Sequence, residues 1–157
     1  MASLNVRSAA GGLALALLAA GALAAGLSGA AGAKDRQAHM KALGAAAKAL
    51  GEQMHAGAPD KAAVKLQSDR IEAAAKALPT WFPPGSGPES GVKTRALPAI
   101  WRDAPGFAAA GQRFAQQAAK LGAAADAGDL AAVGGQMSAV GGACKGCHDK
   151  FRGPETK

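Results

Sequence analysis

The sequence predicts an all-α protein, an antiparallel up-down-up-down four-helix bundle. Three observations predict it. Beyond residue 33, each long segment spaces its apolar residues by alternating steps of three and four, the signature of one buried helix face. No period-two alternation and no hairpin dipeptide lies between apolar runs. The connections are short except for one long stretch rich in proline and glycine, which suits antiparallel neighbours.

The first helix is expected from about Asp35 to Ala56, with Met40, Leu43, Ala47, Leu50 and Met54 on one seam. Gly57, Ala58 and Pro59 end it. Asp60 then caps a second helix that runs to about Leu78, where Val64, Ile71 and Leu78 recur every seven residues and Pro79 stops the helix. From Pro79 to Pro98 the composition predicts an irregular connection, with Trp81, Phe82 and Trp101 as aromatic anchors. The third helix covers about Pro105 to Ala127, with Phe107, Gly111, Phe114, Ala118, Leu121 and Ala125 inward. Gly128 and Asp129 break and recap the chain. The fourth helix carries Leu130, Val133, Met137, Val140, Cys144, Cys147 and Phe151 on its seam. Its Gly134-Gly135 and Gly141-Gly142 pairs cost helix stability, about 1 kcal/mol each relative to alanine. Either something bulky approaches the backbone there, or the pairs reflect an Ala/Gly-rich composition.

Residues 1–33 read as a secretory signal peptide. Arg7 gives a positive start, Gly11 to Leu27 is uncharged and built mostly of Leu, Ala and Gly, and small-residue cleavage patterns follow at Ala22-Leu23-Ala24 and Ala31-Gly32-Ala33. Cleavage within 24–33 leaves 34–157 as the mature domain in the periplasm, with no membrane attachment. Loss of Arg7 takes the formal net charge from +7 to +6. The positive charges are dispersed, which speaks against nucleic acid and for acidic protein partners.

Large apolar side chains are few and aromatics make up only 4% of the chain, so the core is short of filler. The stretch CKGCHDKFR supplies a candidate for that space, because it holds both cysteines and a histidine directly after the second. A closed zinc site wants a fourth ligand that the chain does not offer nearby. A thiol–disulfide exchange site wants its cysteines at a helix N-terminus, and these stand near a C-terminus. A plain disulfide across one turn would account for the cysteines but not the histidine. The reading that uses all three is covalent attachment of one haem c, with Cys144 and Cys147 forming thioethers and His148 binding iron.

An antiparallel first helix puts the residues opposite His148 near its start. Met54 lies fourteen residues further on, about 21 Å along the axis, so it and His55 are too far. Met40 is on the seam, while His39 is turned about 100° away. Three outcomes stay open for Met40: a second iron ligand, an apolar cover over an open iron, or ordinary core. Arg36, one turn earlier on the same face, is either a partner for a haem propionate or a solvated arginine. Arg152 stands near the proximal side or on open surface, and Phe151 packs near the ring.

CKGCHDKFR at the C-terminus, RQAHMKALG at 36–44, ALPTWFPPGS at 77–86, LPAIWRDAPGF at 97–107 and AADAGDL at 124–130 together resemble the class II c-type cytochromes. This is the cytochrome c′ family with its methionine-ligated low-spin relatives. The resemblance covers the whole mature chain. It implies thioethers at Cys144 and Cys147, proximal His148, distal Met40, Arg36 against a propionate and a possible homodimer. The R-x-x-x-M-K-x-L-G form resembles the low-spin branch more than the high-spin one. Cleavage after Ala33 would leave fewer residues before Arg36 than the family has, and cleavage nearer Ala24 would restore a normal first turn.

The function expected first is therefore a periplasmic one-electron carrier with His148 and Met40 on the iron, serving acidic redox proteins. Lys41, Lys145, Lys150 and Arg152 are candidates to steer those partners. The alternative is a five-coordinate cytochrome c′ that binds or sequesters nitric oxide or carbon monoxide. An enzyme such as a peroxidase is not expected, because it needs a distal acid–base group and only His39 is near.

Overall fold

A computed structural model describes residues 14–154, with side chains from residue 29 onward. Arg7 lies outside the described residues, as do the side chains of the leader's apolar run. The long helices are α1 (Ala14–His55), α2 (Lys61–Ala77), α4 (Ala104–Asp126) and α5 (Leu130–Phe151). A one-turn helix, α3 (Ala99–Arg102), stands before α4. Short 3-10 turns at Leu78–Trp81 and Pro88–Ser90 punctuate the long connection. Among the described residues there is no strand, only an isolated antiparallel bridge between Ala96 and Arg152. No helix there is long and apolar enough to cross a membrane.

Aspartates set the helix starts. The carboxylate of Asp60 accepts from the backbone N–H of Ala62 at 2.8 Å, that of Asp103 from Gly106 at 3.0 Å and that of Asp129 from Ala132 at 2.9 Å. Each satisfies a donor that the first turn leaves orphaned. Gly128 takes the left-handed backbone (φ 66) that turns the chain out of α4 and into the Asp129 cap.

Helix α4 begins within a residue of the expected Pro105, capped by Asp103, and the one-turn α3 ahead of it is an addition to the sequence expectation. One boundary differs: α1 is continuous from Ala14, well before Asp35, since nothing in the Ala/Leu/Gly run breaks a helix. Packing also begins ahead of residue 34. Ala33 is fully buried, and Gly32 lies so close to Pro83 that a Cβ would meet its Cγ at 2.6 Å.

The core is built from Leu50, Val64, Ile71, Leu121 and Val133, with Phe114, Trp81 and several alanines between them. Helix α4 packs on α2 and α5, and α2 packs on α1. The fourth side of the bundle, between α1 and α5, is only loosely closed.

Candidate functional site

The loosely closed side holds a cavity of about 560 Å³. That lies within the range of about 300–1,000 Å³ usual for cofactor sites. Its walls are Met40, Leu43, Gly44 and Ala47 from α1, Phe107, Gly111 and Phe114 from α4, and Val140, Cys144, Cys147 and His148 from α5. Arg36, Lys93, Arg95 and Arg152 stand at its polar edge. All five residues singled out in the sequence, Arg36, Met40, Cys144, Cys147 and His148, therefore share one chamber.

Two contacts fix how α1 and α5 face each other. A Cβ on Gly51 would meet the Cε of Met137 at 3.1 Å, and one on Gly134 would meet the Cε of Met54 at 3.7 Å. Each helix sends a methionine tip onto a glycine of the other. Both contacts belong to one antiparallel register. Continued along the helices, that register sets Gly44 level with Cys144 and Met40 level with His148. Met40 and His148 are each eleven residues from the glycine or methionine of the Gly51–Met137 contact, about three full turns, so both return to the seam. The glycine pairs of α5 thus divide. A Cβ on Gly134 would touch the Met54 tip at ordinary contact distance, whereas Gly135, Gly141 and Gly142 have nothing within 4 Å of a Cβ.

The thiols of Cys144 and Cys147 stand one helical turn apart on the cavity wall. Burial pushes both above their ordinary pKa; the neighbouring Cys144 raises Cys147 further and Arg113 offsets part of this. Such thiols stay protonated at neutral pH, which disfavours thiolate exchange chemistry. Among the described residues no group of three His, Cys, Asp or Glu is placed to hold a metal ion by itself. His148 is held below its usual pKa, first by burial and then by Arg152 and Arg95, so its imidazole is neutral and able to coordinate. Phe151 is buried and meets Phe107 edge-on at 5.3 Å, and Phe107 meets Phe82 at 4.6 Å. These rings wall the cavity beside the cysteines.

Arg36 is only 3% exposed, which excludes the solvated alternative. It donates through Nη1 to Ser86 Oγ at 2.7 Å and through Nη2 to Ser86 O at 2.8 Å and Thr94 Oγ1 at 3.2 Å. Its guanidinium lies 5.1 Å from the Phe82 ring centroid. Burial lowers its pKa, and Glu89 opposes this. The loop network of Arg36 carries no sequence signal beyond a Ser and a Thr in a proline-rich stretch. Trp101 anchors that stretch through Nε1, which donates to Phe82 O at 3.2 Å.

His39 is exposed, stacks on Trp81 at 4.8 Å and does not line the cavity. Two of the lysines expected to steer partners are engaged locally. Lys145 pairs with Asp149 and Lys150 with Asp103, while Arg152, also expected to steer partners, stands at the cavity edge with Lys93 and Arg95.

The family model for cytochrome c′ matches residues 32–152. The chain belongs to the cytochrome c′ family. A cytochrome c′ of Rubrivivax gelatinosus is 44% identical over 96 residues, 60% of this chain and 73% of that one. Cytochrome c-556 of Agrobacterium tumefaciens is 36% identical over 126 residues, 76% of this chain and 94% of that one. Among solved structures, a nitric oxide complex of a cytochrome c′ variant from Alcaligenes xylosoxidans superimposes with a TM-score of 0.70 at 31% identity, covering 78% of this chain and 94% of that one. The four-helix bundle is the family fold, and the cofactor of this cytochrome c′ is iron-bearing haem c, covalently held. The cavity fits that group: it is apolar along its length, has two protonated thiols on one wall, a neutral imidazole beside them and cations at its edge.

Proposed function

We propose that this exported member of the cytochrome c′ family binds a diatomic gas, nitric oxide or carbon monoxide, in the periplasm, on the α1 side of the cavity that would hold its haem. When bound, haem c supplies an iron that takes up such a gas or a single electron. The observation that carries the reading is the α1 wall of the cavity. Around the level of His148 it offers Gln37, Met40, Leu43 and Gly44, with no carboxylate or imidazole to activate a ligand, and Arg36 is engaged by Ser86 and Thr94. An apolar diatomic is what such a wall admits. The nitric oxide complex of the Alcaligenes relative supports this choice over the electron carrier that the sequence suggested first.

In this reading Cys144 and Cys147 would hold the haem through two thioethers, and His148 would hold its iron from α5. Arg36 stands as a buried cation whose hydrogen-bond partners are neutral and whose charge is balanced only in part by Glu89, a setting that favours a propionate nearby.

A second reading is favoured by one observation, the level placement of Met40 and His148 in the cavity. Met40 sulfur as a sixth ligand would give a low-spin electron carrier with a raised potential. Visible spectra of the haem-loaded protein separate the two. A high-spin oxidised spectrum, with rapid and complete gas binding on reduction, supports the gas-binding protein. A sulfur–iron band that Met40→Ala abolishes, with slow or partial gas binding, overturns it in favour of the carrier.

A further inference from the structure

We propose that the Met137–Gly51 contact, with its Met54–Gly134 counterpart, is a positioning device that sets the height of Met40 above the haem. The inference rests on the reading that Met40 stands across the iron from His148. On the two long faces of the bundle, α1 leans on α2 and α5 leans on α4, and α1 and α5 have few other points of contact. At the end away from the cavity these two helices face each other through methionine tips: a Cβ on Gly51 would crowd the Cε of Met137 at 3.1 Å, and one on Gly134 would meet the Cε of Met54 at an ordinary 3.7 Å. Toward the cavity no side chain bridges them at Gly44, where a Cβ would meet nothing within 4 Å. A helix is stiff over three turns, so the spacing imposed at Gly51 is carried to Met40, about 16 Å along the axis. The haem end of α1 is tied to the loop by Arg36, and that loop reaches the end of α5 through backbone contacts of Ala96 with Arg152 and Leu97 with Phe151. The seam contacts are thus the direct side-chain gauge of the α1–α5 gap, and Met40 is the side chain on which that gap is read.

The gauge can be moved both ways. Gly51→Leu puts a branched side chain where a single Cβ already crowds Met137, so it wedges the gap wider. Met137→Ala removes the tip and lets the helices approach. Carbon monoxide association with the reduced haem protein should rise severalfold in the first and fall severalfold in the second. The oxidised spectrum should move toward high spin in the first and toward low spin in the second. Both shifts should vanish in a Met40→Ala background. Gly135→Ala, which faces open space, serves as the control. Far-UV circular dichroism checks that each variant is folded, and either variant alone still tests the direction. Unchanged rates and spectra, shifts of the same sign, or shifts that survive Met40→Ala overturn the inference. If Met40→Ala alters rate and spectrum while the seam variants do not, only the gauge is lost. If Met40→Ala is itself silent, the placement of Met40 over the iron is lost with it.

Discussion

The guanidinium of Arg36 grips Ser86 by both its hydroxyl and its carbonyl, at 2.7 Å and 2.8 Å. One residue of α1 thereby holds the middle of the long connection against the haem end of the bundle. Ser86 is itself fully buried, and its hydroxyl donates onward to Pro83 O at 2.8 Å.

Arg36→Ala should therefore cost more than a surface arginine would. It strands a buried carbonyl, takes one of two partners from a buried hydroxyl and removes the aromatic contact with Phe82. Hydrogen bonds to a charged group and a stranded acceptor together suggest about 2–4 kcal/mol. Urea unfolding of the haem-loaded protein measures it. Arg36→Lys should recover only a part, because an ammonium cannot reproduce the fork. A loss below roughly 0.5 kcal/mol, the scale of an ordinary surface change, would show that the loop does not depend on this grip.

Asp103 joins two helices and should shape the acid limb of stability. Its carboxylate takes a hydrogen bond from Lys150 of α5 at 2.6 Å and caps α4 through Gly106 N at 3.0 Å. Lys150 first, then the Gly106 N–H, holds its pKa below the usual 3.8. The folded state thus binds fewer protons than the unfolded one near that pH. The stabilisation is complete above the ordinary carboxylate range and disappears as pH falls through the lower, folded value. Asp103→Asn keeps a cap acceptor but loses the charge. Urea midpoints measured from about pH 2 to pH 6 should fall less steeply in the variant below about pH 4. Identical acid limbs would remove Asp103 from the account.

Much of this was legible in the sequence because it follows from period and spacing. The alternating steps of three and four placed both cysteines on the inner face of α5, and Asp60 and Asp129 marked the starts of α2 and α5. Met40 was reachable by antiparallel geometry alone. The grip of Arg36 was not, because Ser86 and Thr94 belong to irregular chain, where no periodicity says which way a hydroxyl points. The reciprocal glycine–methionine seam was hidden for a related reason. Met54 and Met137 look like ordinary core residues, and only their pairing with Gly134 and Gly51 reveals a register.

Covalent attachment should depend on each cysteine separately. Cys144 and Cys147 are both on the cavity wall, so either one alone can bond a haem already seated there. In a host competent for cytochrome maturation, Cys144→Ser and Cys147→Ser should each retain covalent haem through the remaining thioether, in lower yield. The double variant should release its haem on denaturation. Intact mass spectrometry reads all three. Covalent haem in the double variant would remove these cysteines from the attachment chemistry.

Processing should occur upstream of Gly29. Gly29 backs onto the carbonyl of Gly85, Gly32 onto Pro83, and Ala33 is fully buried, all beside the loop that Arg36 holds. Cleavage after Ala33 would strip these contacts away. It would also remove the Gly32 carbonyl that an α-helix offers to the Arg36 N–H and set a charged amino terminus two residues from a buried guanidinium. Cleavage near Ala24 leaves an ordinary first turn ahead of Gly29. N-terminal sequencing of the secreted protein should therefore begin before Gly29. Gly29→Ala gives an independent check, since its Cβ would collide with the Gly85 backbone, which cannot swing aside as a side-chain tip can. That substitution should destabilise the secreted protein by about 1–3 kcal/mol, the usual cost of overpacking. A secreted chain beginning at Lys34 would sink the idea, and in that case Gly29→Ala would leave the mature protein untouched.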